Sequence, residues 1–289
     1  MTHSPPTFQH IVVAFHPGIA MGREKAKTIA AFLERRGIQS HYGSLYDETL
    51  CAIIKEKADL VIALGGDGTM LRAGHLCAPH NVPILGINMG RFGFLMEFKH
   101  QEWKEAISKV LSGDYWLEDR MMLWAEQWRN DKKLGDWEVL NEVAVSRGEI
   151  VRPVHLDASV DGRFLTTYVA DGLIAATPTG STAYALAAGG PILPPELRNI
   201  LLVPVAPHLS FDRAIVLAEG ASVSVTVHTD HQAVISIDGQ MPIPLDDGDC
   251  VNVRASNHTT QFTRIQDPGY FYRNLTPHMY NNPSANITT

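Results

Sequence analysis

The segment LVIALGGDGTMLRAG, residues 60–74, leads from an apolar run directly into three glycines around one carboxylate. Residues 60–64 are predicted to form a buried strand, and residues 69–73 to begin a helix. Residues 65–68 therefore lie at a strand-to-helix turn, where backbone N–H groups and the positive end of the helix can bind a phosphate. The absence of Cβ atoms would let phosphate oxygens approach this backbone closely.

Asp67 is the unusual member of this turn, because a carboxylate repels a phosphate unless it has another role. It could accept a proton from an attacking hydroxyl, or bind the magnesium ion that accompanies phosphates. Both roles predict phosphoryl transfer. The alternative is an ordinary tight turn in which Asp67 caps the next helix, and the segment alone leaves both interpretations open. The chain has no Gly-Lys dipeptide and no GxGxxG pattern, which excludes a Walker loop and the dinucleotide fingerprint.

Two other segments carry polar groups in apolar surroundings. Asn141 and Glu142 interrupt an apolar strand, where such residues are costly to bury unless they are paired. This pair could bind ribose hydroxyls or an adenine edge, or it could be a solvated strand end. The segment ADGLIAATPTGSTAYALAAGGP, residues 170–191, places Asp171 at the head of a strand and several hydroxyl groups in a compact turn. Each hydroxyl could be a helix cap, but together they resemble a binding surface.

Two further segments contain polar residues or glycines that could have either a functional or a purely structural role. Residues 86–95, GINMGRFGFL, follow a predicted strand, so Asn88 and Gly90 could lie near a ligand, or the segment could be a glycine-rich linker. His228 and His231 lie close together in VHTDHQ, but a polar turn between two strands is a simpler interpretation than a metal site.

The first part of the chain alternates strand and helix patterns. Apolar runs at residues 11–15, 58–64 and 82–87 predict strands, and residues 22–37 and 103–111 have apolar side chains at helical spacing. Alternating strands and helices indicate a parallel sheet covered on both faces. Ligands of such sheets bind beyond the carboxyl ends of the strands.

After about residue 114 the pattern is mainly β. Hairpin signals occur at VDGRF (160–164), IDGQM (237–241) and DDGDC (246–250). A helix is predicted within residues 181–188, which are rich in small helix formers. Residues 270–275 are aromatic enough to dock on the protein, and the last few residues are predicted to fray.

Composition limits the class of protein. The chain has 289 residues, of which 45% are hydrophobic and 19% charged, typical of a two-domain globular protein. Its formal net charge of −7 argues against broad binding to nucleic acid or an anionic membrane. The three cysteines, Cys51, Cys77 and Cys250, are far apart, so we expect reduced thiols rather than disulfides or a zinc site. With no signal-like or membrane-spanning run, a cytoplasmic location is expected.

Three motifs together resemble the NAD kinase family, whose members phosphorylate the adenosine ribose 2′-hydroxyl of NAD to give NADP. They are GGDGT at residues 65–69, the pair Asn141 and Glu142, and DGLIAATPTGSTAY at residues 171–184. GGDGT is also similar to motifs of diacylglycerol-type lipid kinases and phosphofructokinases, whereas TPTGSTAY combined with the Asn-Glu pair is specific. The resemblance covers most of the chain. The segment PHLSFDRAIV, residues 207–216, departs from the PHxLSxRP pattern of many members, which affects only the packing expected there.

The resemblance implies a fold of two domains. Residues 1–115 would form an α/β domain with a parallel sheet, similar to phosphofructokinases and diacylglycerol kinases, that carries GGDGT. Residues 116–265 would form a mainly β sandwich domain that binds NAD. Residues 266–289 would return to the N-terminal domain and end in a frayed segment.

The resemblance also implies roles for individual residues. Asp67 would be the general base, Gly68 would lie against the substrate, and Arg72 would contact the phosphate region. Asn141 and Glu142 would hold the ribose and adenine. Asp171 would bind the nicotinamide amide, and Arg152 could reach the substrate across a subunit boundary. Tyr184 would offer its aromatic surface to the dinucleotide. The other residues implied to bind the substrate are Thr182, Ala183, Ala185, Leu186, Ala187 and Gln240.

Cofactors and partners follow from the same resemblance. Mg²⁺ or another divalent cation would accompany the phosphoryl donor, which could be ATP or polyphosphate, and no residue of the chain is assigned as a dedicated metal ligand. NAD would be the acceptor, and the protein would be a homodimer or homotetramer. The alternatives are a lipid or sugar kinase that shares GGDGT and a non-catalytic NAD(P)-binding protein, although Asp67 would have no evident purpose in the latter.

Overall fold

The computed structural model describes residues 8–90, 93–208 and 211–280. The chain divides into two compact units, unit 1 with Met1–Asp119 and Thr260–Thr289, and unit 2 with Arg120–Thr259. The domain boundaries at residues 115 and 265 stay predictions. The frayed end falls on residues outside the described part of the chain.

The N-terminal part of unit 1 alternates strands and helices. The strands are β1 (His10–Phe15), β2 (Gln39–Ser44), β3 (Leu60–Gly65), β4 (Ile84–Asn88) and β5 (Phe98–Lys99), and the helices are α1 (Gly22–Glu34), α2 (Glu48–Lys57), α3 (Asp67–Cys77) and α4 (Trp103–Leu111). The strands are parallel in the order β2, β1, β3, β4, with β5 beside β4. The predicted α/β domain with a parallel sheet is confirmed.

Apolar periodicity explains most of unit 1. All six residues of β3 are buried, as expected for a strand covered on both faces. Helix α1 packs Ile29 and Leu33 against β1 and β3 in one core cluster, and Gly37 follows the helix with a φ of +76°. The sequence QSHYGS of β2 has no apolar pattern, and its pairing with β1 is what makes it a strand. For that reason β2 is not predictable from its own residues.

Unit 2 is built mainly from strands of two β-sheets. Its elements are β6 (Trp116–Arg129), which begins in unit 1, β7 (Lys132–Val139), β8 (Glu142–Arg147), β9 (Val154–Val160), β10 (Arg163–Ala170), β11 (Gly172–Ala176), α5 (Tyr184–Ala187), β12 (Asn199–Val205), β13 (Ile215–Ala218), β14 (Ser222–His228), β15 (Ala233–Ile237), β16 (Ile243–Leu245) and β17 (Cys250–Arg264), which ends in unit 1. One sheet has the order β13, β12, β11, β8, β15, β16, and the other contains β10, β9, β14, β17 and the β6–β7 pair. Alternate residues of both sheets, such as Val145 of β8 and Leu156 of β9, share one buried cluster. The predicted mainly β domain is confirmed.

Two local predictions for unit 2 need correction. DDGDC is not a hairpin, because it connects β16 in one sheet to β17 in the other. The fully buried Asp249 accepts hydrogen bonds from Arg129 Nε at 2.7 Å and Gln127 Nε2 at 3.1 Å, which hold this turn against β6. The helix predicted within residues 181–188 is only a 3₁₀ turn, Gly180–Thr182, followed by the single turn of α5. A turn motif predicts the local backbone geometry, but it does not predict which sheet the next strand joins.

The C-terminal segment packs within unit 1. Phe262 of β17 pairs in parallel with Ile84 of β4, and helix α6 (Tyr270–Tyr280) follows. The hydroxyl of Tyr270 donates to the carbonyl of Met96 at 3.0 Å, and burial raises the pKa of this phenol. Among the helices of the described residues, none is long and apolar enough to cross a membrane.

Candidate active site

The glycine turn lies at the carboxyl end of the parallel sheet. Strand β3 ends at Gly65, Gly66 precedes helix α3, and Asp67 is the first residue of that helix. Gly65 is paired with Asn88, the last residue of β4, and the N–H of Met89 donates to the carbonyl of Gly65 at 2.8 Å. Both polar turns that the sequence indicated in unit 1 therefore meet where α/β sheets bind ligands.

The three glycines of the turn have different roles. A Cβ on Gly65 would overlap the side chain of Thr69, so this glycine is required for packing. A Cβ on Gly66 or Gly68 would have no atom of the described residues within 4 Å. These two positions leave the backbone at the start of α3 open to an approaching anion.

The carboxylate of Asp67 is oriented by the loop that follows β4. Its Oδ2 accepts the N–H of Phe94 at 2.8 Å, and its Oδ1 accepts the N–H of Leu95 at 3.2 Å. A Cβ on Gly93 would overlap this carboxylate, so only glycine allows the approach. Asp67 is not the N-cap residue of α3, which is Gly66. The simple capping interpretation therefore does not describe this aspartate.

The loop that orients Asp67 is itself held by the C-terminal segment. Arg264 Nη1 donates to the carbonyl of Leu95 at 2.9 Å, and Arg264 Nε donates to Glu118 Oε2 at 2.7 Å. The carboxylate of Glu97 accepts the N–H of Ile265 at 3.1 Å. Because Arg264 is only 5% exposed, these charged hydrogen bonds are shielded from water and hold the loop firmly.

Glu142 is a buried carboxyl group at the start of β8. The residue is 6% exposed, and its Oε2 has no hydrogen-bond partner among the residues that the structure describes. Burial, followed by the negative charge of Asp238, raises the pKa of Glu142, a hydrogen bond from the N–H of Tyr184 opposes the shift, and the resulting pKa is about 8. The alternative of a solvated strand end does not fit this residue. An unsatisfied buried oxygen is instead what a ligand hydroxyl could satisfy.

The TPTG segment packs directly on the Asn-Glu pair. Thr177 N–H donates to the carbonyl of Asn141 at 2.8 Å, and a Cβ on Gly180 would overlap that same carbonyl. Together with the contact from Tyr184 to Glu142, this arrangement brings two of the three family-like motifs into one place within unit 2. The hydroxyl of Ser181, the residue after the TPTG segment (residues 177–180), accepts the N–H of Leu193 at 2.9 Å and is fully buried, so it supports the turn.

Several predicted site residues already have partners in the protein. Arg72 Nε donates to the carbonyl of Leu45 at 3.0 Å, and its guanidinium carbon lies 3.9 Å from the centre of the Tyr46 ring. Asp171 Oδ1 lies 3.0 Å from Arg147 Nε in an ion pair without hydrogen-bond alignment. To contact a ligand, both groups would have to share or exchange these partners.

The remaining predicted residues differ in accessibility. Tyr184 is 44% exposed, whereas Ala185 is fully buried in a core cluster, so its side chain contributes to packing. Gln240 is exposed on the β15–β16 hairpin. The other predicted lining residues are partly or fully exposed, namely Thr182, Ala183, Leu186 and Ala187. Their substrate contacts stay predictions.

Arg152 lines a cavity together with residues of the β14–β15 turn. With Pro153, His155, His228, Thr229, Asp230 and His231 it lines a cavity of about 460 Å³. The VHTDHQ segment is a turn between β14 and β15, and within the described part of the chain no group of three or more His, Cys, Asp or Glu side chains could hold a metal ion. The substrate contact of Arg152 stays a prediction.

Known families and relatives match both parts of the chain. Residues 13–115 match the model of the ATP-NAD kinase N-terminal domain, and residues 140–265 match that of the ATP-NAD kinase C-terminal domain. An NAD kinase of Chloroflexus aggregans is 39% identical over 267 residues, which are 92% of this chain and 97% of the relative. This chain belongs to the NAD kinase family. An NAD kinase of Dehalococcoides mccartyi is 35% identical over 269 residues, 93% of this chain and 95% of the relative.

Solved structures of NAD kinases have the same fold as this family member. Yeast NADH kinase, crystallised with NADH, superposes with a TM-score of 0.84 at 25% identity, over 98% of this chain and 91% of the yeast chain. An NAD kinase from Archaeoglobus fulgidus in complex with ATP gives a TM-score of 0.74 at 25% identity, over 93% and 97% of the two chains. The predicted family and fold class are confirmed.

Sequence reasoning missed several residues that shape the site of this NAD kinase family member. Gly93 and the N–H groups of Phe94 and Leu95 orient Asp67, although the sequence drew attention only to Asn88 and Gly90 in that segment. Asp238 was noted only as part of a hairpin signal, yet its carboxylate binds the backbone of the Asn-Glu pair. No local pattern marks such contacts, because they join residues that are distant in the chain.

Proposed function

We propose that this protein is an NAD kinase, which transfers the γ-phosphoryl group of ATP to the 2′-hydroxyl of the adenosine ribose of NAD and forms NADP. The observation that carries the proposal is Asp67, held by the amides of Phe94 and Leu95 in a glycine turn at the carboxyl end of a parallel sheet. Relatives and structural neighbours that are NAD or NADH kinases support this activity.

Asp67 would act as the general base. An alcohol is a poor nucleophile at neutral pH, so the ribose hydroxyl needs an acceptor for its proton as it attacks the γ-phosphorus. The amides of Phe94 and Leu95 fix the orientation of this carboxylate. The N–H groups at the start of α3 would bind phosphate oxygens and stabilise the charge that develops on them.

A divalent cation such as Mg²⁺ would accompany the phosphoryl donor. Mg²⁺ is usually bound by one or two carboxylates together with substrate phosphates rather than by a full protein cage. The glycine turn fits this mode, because the N–H groups at the start of α3 could hold the phosphates that accompany the cation. When bound, the cation would neutralise charge on the phosphate oxygens.

The acceptor would be recognised mainly in unit 2. Glu142, with its unpartnered oxygen, and Asn141 would bind the ribose and adenine, and the exposed ring of Tyr184 would pack against the dinucleotide. Asp171 would bind the nicotinamide amide, and Gly68, Arg72, Arg152, Thr182, Ala183, Ala185, Leu186, Ala187 and Gln240 would supply further contacts. A homodimer or homotetramer and a cytoplasmic location belong to the proposal as well.

A direct assay tests the activity. The purified protein is incubated with ATP, Mg²⁺ and NAD, and NADP is detected with an NADP-specific dehydrogenase. Parallel reactions replace ATP with polyphosphate, NAD with NADH, or NAD with diacylglycerol or a hexose. NADP formation that depends on the donor is expected. Phosphorylation of the lipid or sugar alone would favour the rival kinase, and NAD binding without turnover would favour a non-catalytic protein.

Gly93→Ala tests the orientation of Asp67 without changing its chemistry. The new Cβ would overlap the carboxylate, so the loop or Asp67 must move, and we expect kcat to fall on the order of tenfold to a hundredfold. The rate of NADP formation and the midpoint of thermal unfolding are measured for the variant. Gly220→Ala is the matched control, because a Cβ at that turn would have no described atom within 4 Å. Unchanged kcat in Gly93→Ala would show that the orientation is unimportant.

A further inference from the structure

The turn between β7 and β8 is bound by one carboxylate through three consecutive N–H groups. Asp238 Oδ2 accepts the N–H of Leu140 at 2.8 Å, and Oδ1 accepts those of Asn141 at 2.7 Å and Glu142 at 2.9 Å. The N–H of Asp238 donates in return to the carbonyl of Glu142 at 2.9 Å. Asp238 is 8% exposed, so these contacts are largely shielded from water.

Thr177 holds the same turn from the other side. Its hydroxyl donates to the carbonyl of Leu140 at 2.6 Å, and its N–H donates to the carbonyl of Asn141 at 2.8 Å. The hydroxyl also accepts the N–H of Gly180 at 3.0 Å, which links the turn to the TPTG segment. Thr177 is fully buried. The backbone of residues 140–142 is therefore held through its N–H groups by one element and through its carbonyls by another.

An aspartate at position 238 is energetically unfavourable in two respects. Its negative charge lies near the buried carboxyl group of Glu142, and like charges in a buried place disfavour each other. Its backbone also has a φ of +47°, a conformation that non-glycine residues seldom adopt. A side chain with two acceptor oxygens and no donor is, however, what three converging N–H groups require.

We propose that Asp238 is a positioning residue for recognition of NAD, which acts by fixing the backbone from which the side chains of Asn141 and Glu142 project, with Thr177 as its counterpart. The inference rests on the proposed function, in which these two side chains contact the ribose and adenine of NAD. Asp238 itself has its carboxylate directed at the protein backbone and is not proposed to touch the substrate.

The test compares Asp238→Asn with wild type in steady-state formation of NADP. An asparagine keeps one acceptor oxygen but presents an NH₂ group to an N–H, so one or more of the three hydrogen bonds is lost. We expect the KM for NAD to rise about tenfold or more, with kcat and the KM for ATP changed by less than about threefold. A change confined to the midpoint of thermal unfolding would overturn the proposal, because it would mean that Asp238 only stabilises the hairpin.

Two further variants keep the test decisive. Thr177→Val removes the hydroxyl at similar volume, and we expect it to raise the KM for NAD in the same way even if Asp238→Asn does not fold. Asp161→Asn is the matched control, because Asp161 occupies the other Asp-Gly hairpin, accepts the N–H of Ser222 at 2.9 Å and is remote in sequence from the Asn-Glu pair. Its KM for NAD should equal that of wild type. If both Thr177→Val and Asp238→Asn had the KM for NAD of wild type, the proposal would also be overturned.

A pH profile separates positioning from a loss of stability. Glu142 is faced by the carboxylate of Asp238 and the N–H of Tyr184, so removing the charge of Asp238 makes Glu142 ionise at lower pH. The pH dependence of the KM for NAD should shift toward acid in Asp238→Asn and stay unchanged in Asp161→Asn. An unshifted profile contradicts the proposal. Calorimetric titration with NAD distinguishes this failure from failure of the proposed function, in which wild type itself would neither bind NAD nor form NADP.

Discussion

Asp67→Asn is expected to lower kcat for NADP formation at least about a hundredfold while NAD binding is retained, because general-base catalysis contributes roughly 10²–10⁴-fold. The side chain keeps its volume but can no longer accept the proton of the ribose hydroxyl. Initial rates with saturating ATP and NAD give kcat, and calorimetry gives the Kd for NAD. The remaining rate would come from alignment of the substrates and from the N–H groups of the glycine turn.

A second aspartate in unit 1 provides the control for this prediction. Asp47 precedes helix α2 and accepts the N–H of Thr49 at 2.9 Å, so Asp47→Asn makes the same chemical change at another helix start. Its kcat should stay near that of wild type. If Asp67→Asn also kept near-wild-type turnover, Asp67 would not be the base, and the central part of the proposed mechanism would be wrong.

Glu142→Gln is expected to remove a pH dependence of stability. The folded protein raises the pKa of Glu142 from 4.5 to about 8, so between these values it keeps a proton that the unfolded chain has released. The stability contributed by the protonated carboxyl group is full below pH 4.5 and is lost as the pH rises to about 8. The loss could reach about 5 kcal/mol by the linkage of pKa to free energy. A neutral glutamine has no such loss.

Thermal unfolding at several pH values between 5 and 8 checks this expectation. The midpoint of wild type should fall relative to that of Glu142→Gln as the pH rises, since all other groups contribute equally to both proteins. Parallel curves would mean that Glu142 ionises with its ordinary pKa.

Glu142→Ala tests the contact of this side chain with the substrate. We expect the variant to need a higher concentration of NAD for half-maximal rate. An effect on thermal stability alone would exclude the contact.

Much of this architecture is local in origin and could be predicted from the chain. The buried run of β3, the helical spacing in α1 and the Asp-Gly turn at Asp161 each depend on neighbours within a few residues. The motifs at residues 65–69, 141–142 and 171–184 are contiguous, so they could be recognised without knowledge of the fold. Strand β2 escaped prediction because its pairing with β1, and not its own pattern, stabilises it.

The sequence by itself determined the alternation of strands and helices in the first part of the chain, the mainly β character of the rest, the glycine turn with its one aspartate, and the family of the protein, because all of these depend on residues that are close in the chain. Only the tertiary structure decided which groups surround that aspartate and the Asn-Glu pair. Leu95 reaches Asp67 from 28 positions away, and Asp238 reaches Asn141 from 97 positions away. Such contacts depend on how the elements pack, which residue spacing alone does not specify. For the same reason the buried environment that changes the acidity of Glu142 could not be inferred from its neighbours in the sequence.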